Sequence, residues 1–159
     1  MTDAALPPTA LTDRLQSDLT AAIRGRDELS SATLRLALAA VRGEEVAGKQ
    51  RRSLTEEQVR QVLAREVRKR REAAAAFTDA GRPDRAARER EEAGVLEAYL
   101  PAQLSEGELD ALVARVLGVV ALSGPAAMGQ AMKAVQPEVA GRADGGRVSA
   151  AVRRHLAPG

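Results

Sequence analysis

The side chains that could do chemistry in this chain are overwhelmingly guanidinium and carboxylate groups. Its 159 residues hold 24 basic and 22 acidic side chains, and the only lysines are Lys49, Lys69 and Lys133. The densest basic run is Arg65, Arg68, Lys69, Arg70 and Arg71, with Glu66 and Glu72 interleaved. At roughly 100° per residue, Arg68 and Lys69 point outward on a helix. Arg70 lies almost over Leu63 on the apolar side, so it must pair with an acid or snorkel to the surface. Two kinds of chemistry fit the run. One is a solvated face laced with ion pairs worth tenths of a kcal/mol each; the other is a face that contacts phosphates. Toward the end of the chain, Lys133, Arg142, Arg147, Arg153 and Arg154 could join in a second basic patch. Among them runs Gly-Arg-Ala-Asp-Gly-Gly over residues 141–146, which opens a helix whose free N–H groups favour an anion. No GK[ST] follows, and Asp144 at the cap competes with a phosphate for those N–H groups. A structural turn is the better reading of that segment.

The missing residue types exclude much else. With no cysteine there is no disulfide, thiolate nucleophile, iron–sulfur cluster or cysteine zinc site. The single histidine, His155, cannot build a multi-histidine metal site, and it belongs in a last helical turn rather than in a cleft beside a serine. No catalytic constellation is visible, and no metal or cofactor is expected. Phe77 and Tyr99 are the only aromatic residues, too few for a base-stacking platform. Charge is balanced along the chain: 18 basic against 17 acidic residues through Leu100, then 6 against 5. No polybasic tail, membrane span or signal-like opening is present, so a soluble cytoplasmic protein is expected.

The elements that must position these groups are helices. Alanine, leucine, arginine and glutamate dominate, and the β-favouring aromatics and isoleucine are nearly absent, which predicts an all-α fold. Residues 1–10, with two prolines, read as a flexible arm. Residues 11–100 read as an N-terminal helical bundle of about four helices. In the first, Leu11, Leu15, Leu19, Ala22 and Ile23 face inward, with Thr12 or Asp13 as the cap. A second helix is expected over residues 31–47, with Leu34, Leu38, Val41 and Val46 inward, followed by a polar connection over 48–53. Thr55-Glu56-Glu57-Gln58 fits a capping box, and Val59, Val62, Leu63, Val67, Ala74 and Phe77 form one stripe that ends at Gly81. Pro83 opens a fourth helix, stopped by Tyr99-Leu100-Pro101.

Residues 101–159 read as a small C-terminal three-helix domain. Ser105 to Glu108 looks like another capping box, ahead of Leu109, Leu112, Val113, Val116 and Leu117. Ser123-Gly124-Pro125 breaks that helix. A short helix over 126–135, stopped by Pro137, carries Met128 and Met132 on one core-facing side. Asp144 caps the last helix, with Val148, Val152 and Leu156 inward.

Three stretches resemble a known family. They are Tyr99-Leu100-Pro101-Ala102-Gln103-Leu104-Ser105-Glu106-Gly107-Glu108-Leu109, then Met128-Gly129-Gln130-Ala131-Met132-Lys133, then Gly141-Arg142-Ala143-Asp144-Gly145. With Glu66 to Arg71, Phe77 and Gly81-Arg82 upstream, the chain resembles the stand-alone YqeY-like members of the GatB/YqeY family over nearly its whole length. The resemblance implies an all-α fold with an N-terminal helical domain and a C-terminal three-helix domain. The related module in the B subunit of the tRNA-dependent amidotransferase is a tail that contacts tRNA, and a similar module is appended to some glutaminyl-tRNA synthetases. The family's label is amidotransferase-like: a carbon–nitrogen ligase with glutamine as amido-N-donor. The expected function is a non-catalytic, tRNA-binding accessory module that meets the RNA backbone through Lys133, Arg142 and Arg147, with Arg68 and Lys69 as secondary contacts. The alternatives are an adaptor that docks an aminoacyl-tRNA synthetase or amidotransferase subunit, and the ligase that the label suggests.

Overall fold

The computed structural model describes residues 10–157. The expected arm over residues 1–10 lies outside them except for Ala10, which already begins the first helix. The regular elements among the described residues are all helical: α1 (Ala10–Arg24), α2 (Glu28–Glu45), α3 (Glu56–Asp79), α4 (Pro83–Glu97), α5 (Glu106–Val120), a 3-10 turn (Pro125–Ala127), α6 (Met128–Val139) and α7 (Gly145–Leu156). The chain is all-α. It divides into two compact units, Met1–Leu100 and Pro101–Gly159. No single helix among the described residues is long and apolar enough to cross a membrane.

In the N-terminal unit, one side of each helix is buried at helical spacing. Leu15, Leu34, Leu38, Val41, Val59, Leu63 and Leu96 form its core, and the long α3 packs most extensively on α4. Capping decides where the helices begin. The Thr55 hydroxyl accepts from the Gln58 N–H at 3.1 Å, and the Gln58 side chain accepts from the Thr55 N–H at 2.9 Å, completing the box expected at α3. Thr12 and Asp13, by contrast, lie inside the first turn of α1 and not at its N-cap. α2 starts before residue 31 because Asp27 caps it, accepting from the Ser30 N–H at 3.1 Å. It also ends early, at Glu45, which leaves Val46 57% exposed instead of inward, and Ile23, in the last turn of α1, is 48% exposed against the expected inward stripe.

The C-terminal unit packs α5, α6 and α7 around Leu109, Val113, Val135, Val139, Val148 and Val152. Ser105 caps α5 by accepting from the Glu108 N–H, but only half of the expected box forms: the Glu108 carboxylate accepts from the Ser105 hydroxyl, not from its N–H. Pro137 does not stop α6, which continues to Val139. A proline so near a helix end removes one hydrogen bond from a turn whose carbonyls are losing partners anyway. Met128 and Met132 are half-buried and pack against the edge of this core.

Tyr99 joins the N-terminal core, donates its hydroxyl hydrogen bond to Asp18, and carries the Arg14 guanidinium 4.7 Å from its ring centroid. Burial, and then the Asp18 carboxylate, push the phenol well above the ordinary tyrosine range. The unfolded chain ionises this group near pH ~10. Its contribution is therefore fully present below that pH and is lost as pH rises toward the folded value. As the sole tyrosine in a chain without tryptophan, it can be followed alone by ultraviolet absorbance. We expect no phenolate in the folded protein at pH ~10.5, half or more in denaturant, and a flatter alkaline stability limb in Tyr99→Phe.

Candidate nucleic-acid interface

The basic run on α3 is almost wholly occupied by carboxylates. Arg68 Nε lies 2.9 Å from Glu72, one turn on, and Lys69 Nζ lies 3.1 Å from Glu66. Arg65 reaches Glu44 at 3.4 Å, and Arg71 pairs with Glu97. Arg70, only 16% exposed at its side chain, sits between Glu66 at 3.6 Å and Glu92 at 3.4 Å. It neither snorkels nor faces solvent, since acids on α3 and α4 meet it at the packing seam. Arg88 continues the ladder from Glu92 to Glu28, both at 3.0 Å. The run is thus a lattice of ion pairs linking α2, α3 and α4. The Arg68 and Lys69 heads are exposed but shared with acids.

In the C-terminal unit, the basic residues divide by role. The Arg142 side chain turns back onto the end of α6 and donates to the carbonyls of Val139 at 3.0 Å and Glu138 at 2.8 Å. These are groups that a helix terminus leaves without intrahelical partners. Arg147 donates to Glu106 at 2.7 Å and to the Leu104 carbonyl at 2.6 Å. Leu104 in turn donates its N–H to the Arg142 carbonyl at 2.8 Å. Gln103 adds bonds to the carbonyls of Pro101 at 2.9 Å and Gly141 at 3.3 Å. Arg142 and Arg147 are thereby brought together at one backbone segment, Gln103-Leu104. Lys133, exposed on α6, takes part in none of these bonds and has no partner among the described residues.

The backbone here accounts for some of the motif residues. Ala140 and Gly141 take successive positive φ angles of 51° and 77°, so the chain turns sharply out of α6 where glycine is the least strained choice. Asp144 is 3% exposed and accepts from the Arg147 N–H at 3.0 Å, which fills the start of α7 with the protein's own carboxylate. Residues 141–144 are a structural turn that ends in the Asp144 cap, and Gly145 and Gly146 open α7. A Cβ at Gly129 or Gly145 would meet nothing within 4 Å, and the structure gives no steric reason for glycine at either position.

Next to the last turn of α7 lies a mostly apolar cavity of about 240 Å³, bounded by Pro125, Met128, Arg153, Leu156 and Ala157. Arg153 is exposed and has no acidic partner among the described residues. Its neighbour Arg154 is bound to Asp110 at 2.7 Å, and this hydrogen bond holds the Asp110 carboxyl below its usual range. His155 approaches the same carboxylate at 3.8 Å.

Reading by charge density alone missed the connection over 48–53. Lys49 and Arg51 there are exposed and without partners among the described residues. The available signal was spacing: Gly-Lys-Gln-Arg-Arg-Ser contains no acid, whereas the denser α3 run carries its own counter-charges.

No curated protein is significantly similar to the chain. The family described as Yqey-like protein matches it over residues 12–156, both units and nearly the full length. By that match, the protein belongs to the YqeY-like family.

Proposed function

We propose that this protein is a tRNA-binding accessory module of the cytoplasm, akin to the tail of the amidotransferase B subunit and without catalytic chemistry of its own. The observation that carries the reading is the YqeY-like match across residues 12–156. Lys133 supports it, because an exposed ammonium with no carboxylate beside it is free to exchange counterions for a phosphate. Arg142 and Arg147 add positive potential near the 141–144 turn while their donors hold the fold. Arg68 and Lys69 contribute weakly, since a phosphate must compete with Glu72 and Glu66. Contacts of this kind follow the shape and backbone of RNA, not its base sequence.

The affinity expected is modest and salt-dependent. Contact with about three phosphates predicts a loss of roughly 30- to 50-fold between ~50 and ~200 mM salt. Filter binding of total tRNA tests the reading. Lys133→Ala should weaken binding by ~3- to 10-fold and lower the salt slope by about one, with the melting temperature unchanged. Absence of saturable binding at low salt, or no loss in the Lys133→Ala, Arg142→Ala double variant, counts against it.

The apolar cavity beside Met128 favours a second reading, an adaptor that docks a synthetase or amidotransferase subunit. That reading expects a pull-down to return such proteins after nuclease treatment and to lose them in Met128→Asp. Glutamine-dependent amide transfer to misacylated tRNA by the purified chain would instead establish the ligase.

A further inference from the structure

Most arginines of the N-terminal unit have their charge spent internally, which makes the exceptions informative. Lys49 and Arg51 stand on the α2–α3 connection with exposed side chains, and no carboxylate, carbonyl or ring engages them among the described residues. Their loop is anchored at both ends. The Arg52 N–H donates to the Glu45 carbonyl at 3.0 Å, and Leu54, 2% exposed, is buried in the core just ahead of the Thr55 cap. A charged loop held this way loses less conformational entropy on binding than a free one.

Below the loop is a polar cavity of about 140 Å³, with Arg52, Arg65, Gln58 and Gln61 on its walls. Arg52 and Arg65 lean on Glu44 from opposite oxygens, at 3.5 and 3.4 Å, and both side chains are about half exposed (49% and 51%). These long single contacts leave most of the five N–H donors on each guanidinium open. The connection holds no apolar or aromatic residue over 48–53, so it has nothing to insert into a lipid surface or to stack on a base. What it offers is cations and amide donors in one shallow site.

We propose that the 48–53 connection, with Gln61 and Arg65 beneath it, is a contact site for the phosphate backbone of RNA. The proposal rests on the tRNA-binding reading and locates a surface for it within the N-terminal unit. Glu44 gives it a distinctive signature, because this carboxylate repels a phosphate and occupies the two arginines that would hold it. Neutralising Glu44 therefore strengthens binding.

The test measures anisotropy of labelled tRNA against the full chain across a salt series. The double variant Lys49→Ala, Arg51→Ala should lose ~10-fold in affinity and flatten the salt slope by about two, one for each phosphate contact removed. Its melting temperature should stay at the wild-type value. The charge-matched control Arg24→Ala, Arg35→Ala removes two other exposed, partnerless arginines and should lose less than ~3-fold. Glu44→Gln should bind ~3-fold tighter than the wild type, and Glu97→Gln, which frees Arg71 elsewhere, should not. Equal losses in the two double variants, or equal affinity for Glu44→Gln and Glu97→Gln, overturn the site and reduce the effect to net charge. If the wild type binds and the loop variants bind equally well, this site alone is refuted. If the wild type shows no saturable binding at low salt, the tRNA reading fails and takes the site with it.

Discussion

Glu66→Ala destabilises the N-terminal unit by about 2–3 kcal/mol, a drop of roughly 10–20 °C in its melting temperature. The Glu66 side chain is only 9% exposed and receives both Lys69 and Arg70. Arg70 is itself mostly buried, and its Nε makes no well-aligned hydrogen bond even in the intact protein. With Glu66 removed, a partly buried guanidinium keeps only Glu92, and its desolvation is no longer offset. A void at the α3–α4 seam adds to the loss. Alanine's better helix propensity returns only a few tenths of a kcal/mol. Glu72→Ala is the contrast. It breaks the Arg68 pair, whose side chains are 43% and 65% exposed, and should shift stability by less than ~0.5 kcal/mol. Denaturant titration of both variants decides the matter. A loss below ~1 kcal/mol for Glu66→Ala would mean that Glu92 alone suffices for Arg70.

Arg147→Ala costs the C-terminal unit about 2 kcal/mol. It removes the 2.7 Å pair with Glu106 and leaves the Leu104 carbonyl without the donor that now sits 2.6 Å away. The side chain is 23% exposed, so water replaces that donor only in part. Arg147→Lys should recover less than half of the loss, because one ammonium cannot reproduce a fork that reaches Glu106 and Leu104 together. RNA binding by Arg147→Ala should therefore fall with the folded fraction and recover on cooling. Lys133→Ala should instead bind weakly at every temperature with its melt unchanged. Circular dichroism melts paired with binding at two temperatures separate the cases. If Arg147→Ala melts within ~1 °C of the wild type and still loses binding, Arg147 acts as an RNA contact and not as a tie.

These contrasts show how much of the candidate site was legible from residue types. The basic run on α3 could be read only as two alternatives, because its partners Glu44, Glu92 and Glu97 come from α2 and α4. Arg70 was the exception. Its place above Leu63 called for an acid or a snorkelling side chain, and the fold supplies Glu66 and Glu92. Arg142 and Arg147 looked like surface charges because the carbonyls they bind, at Val139, Glu138 and Leu104, leave no mark on side-chain identity. Lys49 and Arg51 were passed over because charge density ranks a run by its number of cations and ignores the acids that fold against it.

Local chemistry, which acts within a turn or two, was decided by the sequence alone. The all-α class follows from alanine, leucine and arginine propensities, and the starts of α3, α5 and α7 from Thr55, Ser105 and Asp144. The inward stripes follow from helical spacing, except at Ile23 and Val46 near helix ends, which are exposed, and the family follows from its three motifs. What only the tertiary structure decided is which cations are free. Ion pairing joins residues tens of positions apart, and in a chain with nearly equal numbers of acids and bases the fold determines where charge remains unpaired.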